Sequence, residues 1–214
     1  MCIRDRDNDA TESQCEQAVA GCVDAYRRHI ARLAEAPLLE RSYERLDADR
    51  LRKGARNKKS RRAVASAVKR ARTRTSDRAL PRFVTSQGGE RRIVTEPPLI
   101  TRPEAGQRGV ITAALDDYLQ TLPPQWARVL GGYRVVDIAH KVVGVGSVGL
   151  RAYLALCEGS SPDDVLFLQL KQARRSVVAP FVHGREAWHA HQGQRVVEYQ
   201  QALQTVSDPL LGWT

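Results

Sequence analysis

The N-terminal third of the chain has apolar residues three and four positions apart, which is the period of an amphipathic helix. Thr11-Glu-Ser-Gln14 has the form of a capping box, and Pro37 ends the pattern. The apolar positions between them are Cys15, Val19, Cys22, Tyr26, Ile30 and Leu33. The same spacing predicts a second helix over about 39–51 and a third that ends near Ala71.

The middle of the chain changes from helical to strand signals and back. Residues 82–85 and 91–95 are separated by a glycine-containing turn at 87–89, which predicts a β-hairpin. Two later segments return to helical spacing, and we predict helices over 109–122 and 192–206.

Between residues 133 and 171 the hydrophobic period is close to two, as expected for strands. We predict strands over 133–137, 150–156 and 165–171, with a turn at 158–164 between the last two. The alternation in the last strand places Leu166, Leu168 and Leu170 on one face and Phe167, Gln169 and Lys171 on the other. Successive strands joined by turns of this kind form an antiparallel sheet.

A glycine-rich run at 141–150 joins the first two of these strands. Gly144, Gly146 and Gly149 permit positive φ angles and close approach of the backbone N–H groups to an anion, so the run is suited to binding phosphate. Dinucleotide-binding folds use the same G-x-G-x-x-G spacing, but they begin a helix directly after the last glycine. A strand at 150–156 therefore favours a glycine-rich flap between strands.

Lys171 is a single cation at the end of a strand that should lie beside this glycine run. Kinases have such an arrangement, in which a lysine on the third strand reaches the nucleotide phosphates under a glycine-rich loop. The alternative is an ordinary hairpin with a solvated lysine at its end. These residues alone leave both interpretations open.

The formal charge of +10 and the isoelectric point near 9.9 raise a nucleic acid or another anion as a partner. The excess cations are concentrated between Arg50 and Arg78, in what we call the basic segment. Either this segment is a solvated helix face, or Lys69, Arg72 and Arg74 form an anion-binding cluster. The segment contains no aromatic residue, which argues against a single-strand-binding surface based on base stacking.

Hydropathy, the cysteines, the histidines and the two ends of the chain further limit the class of protein. The chain has no apolar run of the length that a membrane span needs and no basic-then-apolar leader, so we expect a soluble, cytoplasmic protein with no membrane partner. We expect reduced cysteines, and we expect no metal site at His183, His189 and His191 because no acidic or cysteine ligand is suitably spaced beside them. Residues 1–10 lack periodicity and are expected to be non-native or disordered. We also expect the chain to be a fragment truncated at its C-terminus.

Several motifs together resemble the uncharacterised bacterial family known as domain of unknown function 2252. The similarity extends from about Ala18 to Thr214. The motifs are 38–43, 69–74, 92–99, 136–149, 166–173, 193–197, 204–208 and 211–213. The chain departs from the family pattern at His140, at His191 and Gln192, and at Tyr199 and Gln201, so the departures concern the last helix more than the glycine run.

The resemblance implies a fold and a chemistry. The family is grouped with aminoglycoside-phosphotransferase-like kinases, and its members carry catalytic and metal-binding motifs upstream of the glycine-rich strands, in a permuted kinase order. Neither motif is present in this chain, so the resemblance implies no catalytic residue and no metal ligand here. It implies ATP or another nucleoside triphosphate as the cofactor, with Mg²⁺. A glutamate on the helix after Lys171 should hold that lysine, with Glu198 as the candidate and Glu186 as the alternative.

We therefore predict an α+β fold, with an N-terminal helical region at 11–80, a hairpin and helix region at 81–132, and a small antiparallel sheet resembling a protein-kinase-like N-lobe at 133–214. The predicted function is nucleotide-phosphate binding within a kinase-like phosphotransferase that acts on an unknown small-molecule or protein substrate. The predicted phosphate-binding residues are Gly144, Val145, Gly146, Ser147, Val148, Gly149 and Lys171. Alternatives are a non-catalytic module that binds nucleic acid or another polyanion through the basic segment, and a degenerate kinase fold used for protein interaction.

Overall fold

A computed structural model describes residues 10–45, 47–55, 57–73, 76–142, 144, 149–161, 163–182 and 189–214. The chain divides into two compact units, with the boundary between Arg45 and residue 46. The first unit is helical and contains α1 (Glu12–Glu35) and α2 (Leu38–Ser42). The predicted capping box is confirmed, because the Thr11 side chain accepts the Gln14 N–H and the Gln14 side chain accepts the Thr11 N–H.

The second unit begins with three helices. These are α3 (Ala48–Gly54), α4 (Lys58–Arg72) and α5 (Ser76–Phe83). Side chains cap the first two, since Asp47 accepts the N–H of Arg50 and Asn57 accepts the N–H of Ser60. The single helix predicted over 39–51 is therefore wrong, because α2 ends at Ser42 and a new helix begins at Ala48.

The predicted hairpin is confirmed as β1 (Val84–Gln87) and β2 (Glu90–Ile93), which pair antiparallel. The turn residues Gly88 and Gly89 have φ values of 61° and 81°, a region that residues with a Cβ adopt only with strain.

A second antiparallel sheet has the strand order β3-β4-β5-β6. Its strands are β3 (Ile100–Thr101), β4 (Arg134–Lys141), β5 (Ala152–Glu158) and β6 (Val165–Lys171). Between β3 and β4 the chain forms α6 (Gln107–Leu119) and α7 (Pro124–Leu130), and after β6 it forms α8 (Ala179–Val182) and α9 (Gln192–Leu203). The structure thus confirms a mixed fold of helices and antiparallel sheets, with three consecutive antiparallel strands over 134–171.

Each face of this main sheet is covered by apolar residues from different elements. On one face, Ile138, Ala155 and Cys157 pack with residues of α6 and α7, and the three leucines of β6 border this cluster as predicted. On the other face, Ala139, Leu154 and Leu156 pack with Ile93 and Ile100, and Phe167 borders this second cluster. The ring of Phe167 meets that of Phe83 edge to face at a centroid distance of 6.3 Å, which joins α5 to β6.

In the part of the chain that the structure describes, no helix has both the length and the apolar character that crossing a bilayer requires.

Candidate functional site

The glycine run forms the connection between the end of β4 at Lys141 and the start of β5 at Ala152. Gly149 has a φ of 77°, so glycine is the residue that takes this conformation without strain. At Gly144, no described atom lies within 4 Å of the place that a Cβ would occupy. The predicted residues Val145, Gly146, Ser147 and Val148 lie outside the described residues.

The residues after Gly149 pair as a strand. Contacts between the two strands continue beyond the Ala152–Lys171 pair. The backbone N–H of Gln172 donates to the Arg151 carbonyl at 2.8 Å. The backbone N–H of Arg151 donates to the side-chain oxygen of Gln172 at 3.2 Å. A dinucleotide-binding loop needs a helix at this point. The described residues therefore do not fit the dinucleotide alternative.

Lys171 is exposed on the last position of β6, directly opposite Ala152 at the start of β5. Alternation along the strand places it on the same face as Phe167, whose ring packs against Phe83. Within the described part of the chain, no hydrogen bond or ion pair joins the Lys171 side chain to another side chain. The side chain of Lys171 is exposed at the end of the sheet from which the glycine run extends.

A second lysine, which the sequence interpretation did not identify, lies at this end of the sheet. The Lys141 Nζ lies 3.9 Å from the centre of the Phe83 ring, as in a cation–π contact. Burial lowers the pKa of Lys141, and the positive charge of Arg82 lowers it further. The sequence feature that could have identified Lys141 is its position directly before the glycine run.

Two arginines connect the glycine run to the C-terminal helix. Arg174 donates from Nη2 to the Gly149 carbonyl at 2.8 Å, and Arg195 of α9 donates from Nη2 to the Arg174 carbonyl at 3.0 Å. These bonds hold the chain after β6 beside the end of the loop. They also bring further cations to the region of Lys141 and Lys171.

Glu198, the candidate partner of Lys171, has different contacts in the structure. Its carboxylate accepts a hydrogen bond from the Gln194 side chain at 2.6 Å and lies 3.1 Å from Nε2 of the buried His189. Hydrogen bonds from Gln194 and then His189 lower the pKa of Glu198. Among the described residues no ion pair joins it to Lys171, and the alternative, Glu186, lies outside them.

The described members of the predicted anion-binding cluster lie on α4, not on the main sheet. Lys69 and Arg72 are exposed in the last turn of α4, which packs mainly against α3. Arg74, the third predicted member of the anion-binding cluster, lies outside the described residues. The described contacts do not bring Lys69 or Arg72 to the glycine run.

The described residues offer no identified group of ligands for the predicted Mg²⁺. The described residues contain no group of three or more histidine, cysteine, aspartate or glutamate side chains that could hold a metal ion.

Comparison with known proteins identifies the family. A family model with the description "Uncharacterized protein conserved in bacteria (DUF2252)" matches residues 2–214, and the chain belongs to this family. The match includes residues that the motifs alone did not cover. No curated protein and no solved structure matches the chain.

Proposed function

We propose that this chain contains the nucleotide-phosphate-binding part of a kinase-like phosphotransferase, with the glycine run covering the phosphates and Lys171 pairing with them. The observation that carries the proposal is the position of Lys171. It lies opposite the first residue after the glycine connection, exposed, and joined by no described ion pair to another side chain. A lysine so placed can give its full charge to an anion held under the loop.

The residues present fit a polyphosphate group. Lys141 ends the strand before the glycine run, Lys171 lies opposite the first residue of the strand after it, and Arg174 donates to the Gly149 carbonyl. A bound nucleoside triphosphate would supply the transferable phosphoryl group. The residues of this chain would bind and orient the phosphates and offset their charge, which is most of what a protein does in phosphoryl transfer.

Replacing Lys171 with methionine tests the proposal. We expect Lys171→Met to weaken ATP binding to the 214-residue chain about ten- to a hundredfold, since a hydrogen bond to a charged group contributes about 1.5–3 kcal/mol. The melting temperature should change little, because the side chain is exposed. Isothermal titration calorimetry gives the affinity and differential scanning calorimetry the melting temperature.

Lys59→Met is the matched control, because Lys59 is also an exposed lysine but belongs to the basic segment. Its affinity for ATP should equal that of the unmodified chain. Equal affinities in the control and in Lys171→Met would remove Lys171 from the site, and the solvated-hairpin interpretation would then stand.

A second candidate function is the binding of a polyanion through the basic segment. The 15-residue helix α4 contains no acidic residue. Its cations Lys58, Lys59, Arg61, Arg62, Lys69, Arg70 and Arg72 are all exposed. A helix of this charge attracts phosphate backbones irrespective of their sequence. A steep loss of DNA or RNA affinity with salt is the expected signature.

A further inference from the structure

The main sheet contains a buried carboxylate, Asp137, with three arginine side chains beside it. Asp137 on β4 has a side chain that is 2% exposed, and it lies at an irregularity of the β4–β5 register. Its Oδ2 accepts the backbone N–H of Ile93 at 2.8 Å and a bond from Arg102 Nη1 at 2.6 Å. A buried carboxylate needs such partners to offset its desolvation.

Two further guanidinium groups lie beside the same carboxylate. Arg92 Nη1 and Arg108 Nη1 are each 3.7 Å from Asp137 Oδ1, longer than a normal hydrogen bond. The three arginines come from β2, from the segment after β3 and from the first turn of α6. Arg102 is thus the arginine that hydrogen-bonds Asp137, whereas Arg92 and Arg108 contribute positive charge near the carboxylate without a hydrogen bond to it.

The positive charge of this group is only partly offset. Asp137 supplies one negative charge, and Glu90 supplies a second through a 2.7 Å contact with Arg92. Glu90 is 67% exposed, so water and salt screen its pairing. Glu104, two residues after Arg102, accepts a hydrogen bond from the Gln107 side chain. The three arginines therefore keep a positive excess.

The side chains of all three arginines are also partly exposed to solvent. The side chains of Arg92, Arg102 and Arg108 are 33%, 42% and 49% exposed. Arg102 donates inward to Asp137 and to the Ile93 carbonyl, and Arg108 donates to the Val136 carbonyl. Each guanidinium has five N–H donors in a planar fork, and these bonds use a minority of them.

We propose that Arg92, Arg102 and Arg108 form an oxyanion site that binds the phosphate group of a small phosphorylated ligand, distinct from the glycine run. Asp137 orients the cluster from the buried side, and the outward donors of the arginines hold the anion by paired hydrogen bonds. The site lies four residues before Lys141 on the same strand, about 13 Å along it. The proposal does not depend on nucleotide binding at the loop.

The test is a titration of the 214-residue chain with pyrophosphate, followed on the Nε–Hε resonance of Arg102 by ¹H–¹⁵N NMR. This resonance reports locally on the cluster and is kept in every variant. We expect a saturable shift in the unmodified chain and at least a roughly tenfold weaker affinity in Arg92→Gln/Arg108→Gln, because each loses charge-assisted hydrogen bonds. Arg128→Gln/Arg134→Gln removes the same charge elsewhere and should bind as the unmodified chain does.

Two more variants complete the design. Lys171→Met should leave the Arg102 titration unchanged, which separates this site from the glycine run. If the glutamine pair does not fold, Arg92→Lys/Arg108→Lys retains the charges and should still weaken binding several-fold, because lysine cannot present a planar fork. The proposal is overturned by a glutamine or lysine pair that binds as tightly as the unmodified chain. It is also overturned by an equal loss in Arg128→Gln/Arg134→Gln, or by a loss of the Arg102 titration in Lys171→Met.

Discussion

Lys141 and Lys171 lie on the same face of the main sheet and at the same end of it, on the two strands beside β5, but their surroundings differ. Lys171 is exposed, whereas Lys141 is half-buried against the Phe83 ring with Arg82 beside it. Burial disfavours the charged form of Lys141, and the aromatic ring favours it. A bound phosphate next to Lys141 would favour the charged form of this lysine and offset the cost of its burial.

We expect Lys141→Met to weaken ATP binding several-fold while changing the free energy of unfolding at neutral pH by less than about 1 kcal/mol, because loss of the cation–π contact opposes relief of the desolvation. The lowered pKa also fixes the pH dependence. Between the pKa of Lys141 in the folded chain and its ordinary value of 10.5, the unfolded chain binds more protons than the folded chain does. In that pH range the free energy of unfolding of the unmodified chain should therefore rise with pH relative to that of Lys141→Met. Calorimetric titration and urea unfolding at several pH values measure both effects. A loss of more than about 2 kcal/mol at neutral pH would show that Lys141 is mainly structural.

At the scale of elements, the Asp137 carboxylate joins parts of the chain that are far apart in sequence. It accepts the backbone N–H of Ile93 on β2, and it pairs with arginines from the segment after β3 and from α6. Arg108 also donates to the Val136 carbonyl. These bonds fix the β1–β2 hairpin and the start of α6 to one strand of the main sheet.

We expect Asp137→Asn to lower the free energy of unfolding by about 3 kcal/mol, because it leaves the surrounding guanidinium groups without their buried counter-charge. Urea unfolding followed by circular dichroism measures this loss. Asp116→Asn is the control, since Asp116 is exposed on α6, and it should remain within about 0.5 kcal/mol of the unmodified chain. If the two variants are equally stable, Asp137 does not join these elements.

The elements that sequence predicted correctly are those whose signals are local. The capping box at Thr11 and the alternation along β6 depend on neighbouring residues, and both are confirmed. The single helix predicted over 39–51 is wrong, because α2 ends at Ser42 and α3 begins at Ala48. The sequence patterns predict no helix over 124–130, yet α7 begins there at Pro124, in a first turn where proline is favoured.

Tertiary packing explains what local patterns could not predict. The helix α5 contains Pro81, which argues against a helix locally, but Leu80 and Phe83 of this helix pack against the main sheet. The bond from Arg102 to Asp137 spans 35 positions of the chain, and no periodicity encodes it. For the candidate site, sequence found Lys171 and the glycine run but not Lys141, Arg174 or Arg195, whose roles depend on how β4, β6 and α9 meet.

At the scale of the whole molecule, the charge of +10 is distributed over regions with different surroundings. The cations of α4 are exposed along a helix that packs mainly against α3. Those at the glycine run and those around Asp137 instead contact the main sheet or the residues that cover it. The net charge therefore comes from at least two kinds of positive surface. Anion binding at the exposed helix and at the main sheet should depend differently on salt concentration.

Charge reversal separates the two surfaces. In Lys58→Glu/Lys59→Glu we expect the affinity for duplex DNA to fall and its salt dependence to flatten, because the logarithm of the affinity falls by about 0.9 per phosphate contact for each tenfold rise in salt. The affinity of the same variant for ATP should stay within about twofold, since exposed charges more than about 10 Å apart are largely screened at 0.1 M salt. Lys171→Met should show the opposite result, with ATP binding weakened and DNA binding retained. Fluorescence anisotropy over a salt series measures the DNA affinity, and calorimetry measures the ATP affinity. If the reversal weakens ATP binding as much as Lys171→Met does, the basic segment belongs to the nucleotide site, and the separation of the two surfaces is wrong.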